Sequence, residues 1–172
     1  MPATHTVVDS PIGPLTLVGD EGVLTGLYFP GHWTRPDRRR FGPRDAAGFE
    51  EATGQLEQYF VGERTSFDLP TRADGGPFPR RVWALLHGIP YGQTTTYGAL
   101  ARDLGDPALA RAVGAAVGAN PLSIVCPCHR VVGADGRLTG YAGGLERKRR
   151  LLALEAPAAA APVELTLFAP QR

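Results

Sequence analysis

Apolar and polar residues alternate in short runs over the first third of the chain. THTVVDS (4–10), PLTLVGD (14–20) and VLTGLYF (23–29) each keep a period near two, and Gly and Pro separate them; this predicts the antiparallel strands of a small sheet. From Asp45 the period lengthens. Phe49, Ala52, Leu56, Tyr59 and Phe60 recur at helical spacing, predicting a helix with one face laid on that sheet. Between the two patterns, GHWTRPDRRRFGPRD (31–45) has no period and is rich in Arg, Gly and Pro, so a mobile loop is expected, with Arg38, Arg39 and Arg40 in solvent. SFDLP (66–70) predicts a further strand. At TRADGGPF (71–78) the periodicity lapses and Gly, Pro and Asp cluster. A domain boundary is expected there, with an N-terminal domain over residues 1–76 and a C-terminal one over 77–157.

The second half reads as mostly helical. In PFPRRVWALLHGIP, Val82, Trp83, Leu86 and Ile89 form an apolar stripe that places Trp83 in the core. YGQTTTYGALARDLG predicts a short helix stopping at Gly105. DPALARAVGAAVGANP predicts another, with Asp106 as N-cap and Pro107 at the first helical position. Two helices joined by a tight Gly turn make a helix-turn-helix. A strand and turn around Cys128, a hairpin-like GADGRLTGYAGG and a last helix, LERKRRLLALE, complete the domain. Residues 158–172 form a low-complexity tail, expected to fray.

Composition narrows the class. The chain has 172 residues, of which 43% are hydrophobic, enough for an ordinary core. Its start lacks a basic stretch followed by an apolar run, and no segment is long and apolar enough for a bilayer, so neither secretion nor a membrane partner is expected. The two cysteines share one motif, which points to a reducing compartment, with the cytoplasm as the default. Net charge is +1, but residues 1–78 carry 7 basic and 11 acidic side chains against 8 and 4 in residues 97–150. The basic half is either a phosphate-binding surface or a solvated charged face.

The chemistry concentrates in IVCPCHRVVG (124–133). A disulfide between Cys126 and Cys128 would close a very tight ring. A zinc site would need about four ligands, and the chain has no other cysteine and only His5, His32 and His87 besides His129. A thiol with a base beside it, on an apolar strand that ends abruptly, is how a nucleophilic cysteine is displayed. The second helix of the helix-turn-helix is built from Ala, Gly and Val, with Arg111 its single long polar residue. Such a helix cannot spell out a base sequence. Its small side chains would let backbone approach a groove while Arg111 fills the gap left by an unstacked base; equally, it is an Ala-rich packing helix with Arg111 paired to a carboxylate.

DSPIGPL, YGQTTTYGALA, RAVGAAVGANP, PCHRVVG, GYAGGLERKRRLL and LLALE stand in the order found in the O6-alkylguanine-DNA alkyltransferases, and the chain resembles that family over nearly its whole length. The resemblance implies an α/β (α+β) fold: a ribonuclease-H-like antiparallel sheet domain, then a winged-helix-like domain that enters the minor groove of double-stranded DNA and flips out O6-alkylguanine. It implies Cys128 as the alkyl acceptor, His129 as the base drawing its proton through a water, and Glu155 as the group orienting the imidazole. Arg111 would be the intercalating finger, Ala110 and Gly114 small residues facing DNA, and Asn120 the hinge after the recognition helix. Tyr97 would meet the flipped base and the turned phosphate. Val131, Tyr141 and Ala142, with Tyr97, would line the pocket.

Cys126 stands where relatives usually carry an aliphatic residue, and is expected to pack as a small hydrophobe. Some relatives carry zinc in the N-terminal domain; no cysteine lies there in this chain, so no metal is expected. The transfer needs no cofactor, and a monomer consumed once per alkyl group is expected. Two other classes remain to be weighed. A non-catalytic alkyltransferase-like lesion binder would replace the cysteine, whereas a cysteine hydrolase would turn over and would need no helix-turn-helix.

Overall fold

The computed structural model describes residues 2–157; the expected tail, 158–172, lies outside them. Strands β1 (Thr4–Val8), β2 (Leu15–Asp20) and β3 (Val23–Tyr28) form an antiparallel sheet in the order β1-β2-β3. Asp20 pairs with Val23 across Glu21 (φ 51°) and Gly22 (φ 80°), the two positive φ values that a two-residue I′ hairpin requires. Leu15, Leu17 and Leu27 are fully buried on the sheet. Helix α1 (Glu50–Phe60) covers them with Ala52, Gln55, Leu56 and Tyr59, its buried residues at i, i+3, i+4 and i+7.

Two expectations in this half need correction. SFDLP forms no strand. The buried side chain of Gln55 takes both backbone groups of Asp68, accepting from its N–H at 2.9 Å and donating to its C=O at 2.9 Å, so these groups have no ladder to join. Only a single parallel bridge, Leu24 to Thr71, ties the segment to β3. Nor is 31–45 a free loop. Asp37 caps a 3-10 turn (Arg38–Phe41) by accepting from Arg39 N–H. Phe41 is buried and stacks on Tyr28 at 5.4 Å, and hydrogen bonds from His5 N–H to Pro43 O and from Asp45 N–H to His5 O dock the segment beside β1. Arg38, Arg39 and Arg40 are exposed.

Helices α2 (Pro77–Leu86), α3 (Tyr97–Asp103), α4 (Ala110–Gly118) and α5 (Leu145–Glu155) frame the second half, with a short parallel pair, β4 (Thr95–Thr96) and β5 (Val131–Val132). Val82, Trp83 and Leu86 face inward on α2, and the Trp83 indole donates to Ala116 O at 2.8 Å. Thr96 caps α3 by accepting from Ala99 N–H. Asp106 caps the next segment as its side chain requires, but the first turn, Pro107–Leu109, is 3-10 before α4 begins. The architecture is thus a mixed α/β one, a three-stranded antiparallel sheet with its helix followed by a helical half.

The halves share one core. Leu27 N–H donates to Pro121 O at 2.8 Å, so β3 extends to the chain leading toward Cys128. The Phe29 ring packs on Tyr141 at 5.7 Å. Arg147 sits over that ring at 5.3 Å and donates to Ile12 O (2.8 Å) and Gly143 O (3.0 Å). Gly143 lies so close to Phe29 that a Cβ there would overlap the ring. Gly143→Ala is expected to destabilise the protein by about 1–3 kcal/mol, the usual cost of overpacking. Urea denaturation checks this; an unchanged midpoint would mean that Phe29 has room to yield.

Candidate active site

The chain leading to Cys128 is a series of tight turns, not the strand that its apolar residues suggest; the short strand β5 comes only after it. Ile124 is forced to φ 72°, Val125 N–H donates to Ser123 O, and Cys126 N–H to Leu122 O. At Pro127 the backbone takes φ −80°, ψ 62°, and Cys128 N–H donates to Cys126 O at 2.8 Å. That is an inverse γ-turn, and proline pre-sets its φ. Asn120 fixes its start: Oδ1 accepts from Leu122 N–H at 3.0 Å, and Nδ2 donates to Cys126 O at 2.9 Å. Cys126 and Cys128 are both free and buried, and the Cys126 thiol points to Trp83 O at 3.8 Å.

A 3-10 turn, Cys128–Arg130, then buries a thiol, an imidazole and a guanidinium in succession. His129 Nε2 donates to Glu155 Oε1 at 2.7 Å; Arg130 forks onto the same carboxylate, Nε to Oε2 and Nη2 to Oε1, both at 2.8 Å. Tyr59 of α1 donates its hydroxyl to Oε1 at 2.7 Å. Burial raises the carboxyl pKa, but the Arg130 and His129 hydrogen bonds and charges outweigh it and hold Glu155 down at about 2. The group is therefore a carboxylate that can only accept, which assigns the proton to His129 Nε2 and leaves Nδ1 as an acceptor. Nδ1 is buried with no partner among the described residues.

Burial pushes the Cys128 thiol up. Asn120, Lys148, its own backbone and Tyr141 pull it down without reversing the shift, so the resting group is a protonated thiol and needs a base before it can react. The Tyr141 hydroxyl lies near the thiol and Ser123 near Tyr141, yet among the described residues neither hydroxyl makes a hydrogen bond of ordinary geometry. Lys148 is buried on α5 and donates to Val131 O (2.6 Å) and Gly140 O (3.1 Å). Desolvation lowers it to about 8, opposed by Cys128. A cleft lined by Tyr97, Gly114, Tyr141 and Ala142 opens over Cys128. Val131 is buried behind it, presenting its carbonyl to Lys148. Tyr97 accepts from Thr139 Oγ1 at 3.2 Å.

Arg111 stands exposed at the start of α4 and makes no ion pair among the described residues, against the reading in which it pairs with a carboxylate. Ala112, Ala115 and Ala119 share its exposed face; Ala110 and Gly114 are half-buried, and a Cβ on Gly114 would lie 3.8 Å from the Tyr97 ring. Sequence reasoning missed Tyr59, Arg130 and Lys148. The signal for Lys148 was in the spacing: Lys148, Leu151 and Glu155 fall at i, i+3 and i+7 on the buried face of α5, where a charge needs a partner. Among the described residues no group of three or more His, Cys, Asp or Glu could hold a metal ion, and no helix is long and apolar enough to cross a membrane.

Residues 4–73 match the model of the 6-O-methylguanine DNA methyltransferase ribonuclease-like domain, and residues 77–157 that of the same family's DNA binding domain. A methylated-DNA–protein-cysteine methyltransferase of Mycobacterium tuberculosis is 50% identical over 164 residues, 95% of this chain and 98% of the relative. One of Methanosarcina acetivorans is 45% identical, over 88% and 97%. The crystal structure of M. tuberculosis OGT in complex with DNA superimposes with a TM-score of 0.87 at 50% identity, covering 96% of this chain and 99% of that one. The O6-methylguanine-DNA methyltransferase of Pyrococcus kodakaraensis gives 0.55 at 25%, covering 90% and 100%.

The Glu155 pKa lies below its ordinary value of 4.5, so its contribution to stability is complete above about pH 4.5 and is lost as pH falls toward 2. Urea denaturation at stepped pH is expected to show that decline. In Glu155→Gln this part of the slope should vanish, while stability at pH 7 falls by about 3–5 kcal/mol because Arg130 is left buried without its counter-charge. Parallel curves for the two proteins would refute the assignment.

Proposed function

The chain belongs to the 6-O-methylguanine DNA methyltransferase family, and we propose that Cys128 is the residue that takes the alkyl group from O6-alkylguanine in duplex DNA. The observation that carries this is the buried relay behind it: a protonated thiol, an imidazole whose Nε2–H is held by Glu155, and Nδ1 unpartnered beside the acceptor turn. His129 Nδ1 takes the Cys128 proton through a water. The thiolate attacks the alkyl carbon in line, a carbon–sulfur bond forms, the carbon–oxygen bond breaks, and its electron pair goes to the guanine oxygen. One proton taken up by the base makes the leaving group neutral guanine. Glu155 holds the imidazole ring and stabilises the imidazolium while touching no reacting atom.

The thioether is final, since no group near Cys128 could cleave a carbon–sulfur bond, and the protein is consumed once. The exposed small-residue face of α4 supports close approach of backbone to a groove. The exposed, unpaired Arg111 supports its role as the finger that replaces a flipped nucleotide. Ala110, Gly114 and Asn120 serve this face and its hinge; Tyr97, Val131, Tyr141 and Ala142 serve the base pocket. The lesion-binder reading is disfavoured by the cysteine itself. The hydrolase reading is disfavoured by the α3–α4 pair, which such an enzyme has no use for. A single polypeptide acting in the cytoplasm, where Cys128 stays reduced, completes the reading.

Incubation with a duplex containing O6-methylguanine is expected to add one methyl group, on Cys128, after which reaction stops. Peptide mass mapping checks this, and modification of Cys126 or turnover beyond one equivalent would overturn it. A second comparison separates lesion finding from chemistry. Arg111→Ala is expected to slow repair of duplex DNA markedly, because part of an unstacking cost on the order of a few kcal/mol is no longer offset, while reaction with the free base O6-benzylguanine stays nearly unchanged. Cys128→Ser should abolish both reactions and leave DNA binding largely intact. Equal slowing of the duplex and free-base reactions by Arg111→Ala would assign that residue to the fold or the pocket instead.

A further inference from the structure

Trp33 is 53% exposed, yet it is tied to the C-terminal half at two points. Its main-chain N–H donates to Ala142 O at 3.0 Å, and its indole Nε1–H donates to Gly118 O at 3.0 Å. Gly118 ends α4 and Ala142 follows Tyr141, so the indole bridges two segments that line the cleft over Cys128. It fits there because both neighbours lack side chains. A Cβ on Gly118 would lie 2.7 Å from the indole, and one on Gly140 would lie 3.3 Å from it.

The cleft beneath is about 20 Å³. One water needs roughly 10–15 Å³, whereas small-molecule pockets begin near roughly 300 Å³. A purine cannot enter until a wall moves. Tyr141 is buried and packed on Phe29, and Tyr97 is braced by Thr139 and Gly114. The Trp33 side chain has solvent on one side and one hydrogen bond, readily exchanged for water. Turning about χ1 would release the indole and leave the main-chain bond to Ala142 intact.

We infer that Trp33 is a specificity-determining residue of the acceptor pocket: its indole is a movable roof that leaves the space between Gly118 and Gly140 to admit the base and limits the size of the O6 substituent reaching Cys128. The inference rests on Cys128 being the acceptor. It gives the N-terminal half a direct part in substrate selection, because the residue that closes the pocket comes from the segment between β3 and α1.

The test uses the full chain, as Trp33→Ala and as Trp33→Phe, which keeps bulk over the glycines but cannot donate to Gly118 O. Two rates are measured on each: reaction with the free bases O6-benzylguanine and O6-methylguanine by intact mass, and labelling of Cys128 by N-ethylmaleimide by peptide mapping, which needs no guanine recognition. Trp33→Ala is expected to raise the maleimide and benzylguanine rates about fivefold, the factor that release of one net hydrogen bond corresponds to, with a smaller gain for methylguanine. Trp33→Phe should show a smaller gain than Trp33→Ala. Unchanged or slower maleimide and benzylguanine rates in both variants would overturn the roof. A wild-type protein that takes maleimide at Cys128 but ignores both guanines would sink the acceptor reading, leaving the roof to be judged on labelling alone.

Discussion

One buried carboxylate holds the molecule's parts in register. Glu155, at the end of α5, accepts hydrogen bonds from Tyr59 of α1, from His129 and twice from Arg130. Arg130 in turn donates to Ile89 O, just beyond α2. A buried ion is costly unless its oxygens are filled and its charge is balanced. Here the Arg130 fork balances the charge, and three donor residues fill the oxygens. The consequence is geometric: α1, the end of α2, the Cys128–Arg130 turn and α5 must all be in place for this carboxylate to be satisfied. The same group that fixes the imidazole is thus a latch between the two halves.

The charge balance also bears on chemistry. Arg130 and His129 share the Glu155 carboxylate, so the pull of its charge is divided between them. Burial keeps the Cys128 thiol protonated. In the proposed transfer the proton passes from thiol to imidazole, so imidazolium and thiolate appear together and net charge in the core does not change. Lys148, held by two carbonyls beside the pocket, adds a cation on the thiolate side.

The turns that carry Cys128 depend on both halves. Their rim is paired to β3 through Leu27 and Pro121, and the loop bearing Tyr141 is clamped by Phe29 and Arg147. The segment that follows β3 consequently closes in on the C-terminal half, Trp33 over the cleft at Cys128 and Phe29 beside Tyr141, which is why glycines stand at 118, 140 and 143.

The sequence by itself determined the local pieces. The period of two fixed β1 to β3, the period near 3.6 fixed α1 and α2, and Thr96 and Asp106 supplied the caps that their side chains can form within three residues. The motif around Cys128 also named its thiol and imidazole. What the sequence could not settle was where distant polar groups would find partners. SFDLP has strand-like residues, but Gln55, separated from Asp68 by thirteen positions, takes its backbone groups. The apolar run before Cys128 has a strand's composition, yet Asn120 and Pro127 bend it into turns. Tyr59, Arg130 and Lys148 look like an ordinary core tyrosine and surface cations until the fold brings them to Glu155, Val131 and Gly140. Trp33 looks like a loop residue until α4 and the 140–142 segment meet it. Periodicity reports which face of an element is buried; only the tertiary structure decides what lies opposite, because a buried donor or acceptor is satisfied by whatever the whole chain places within about 3 Å.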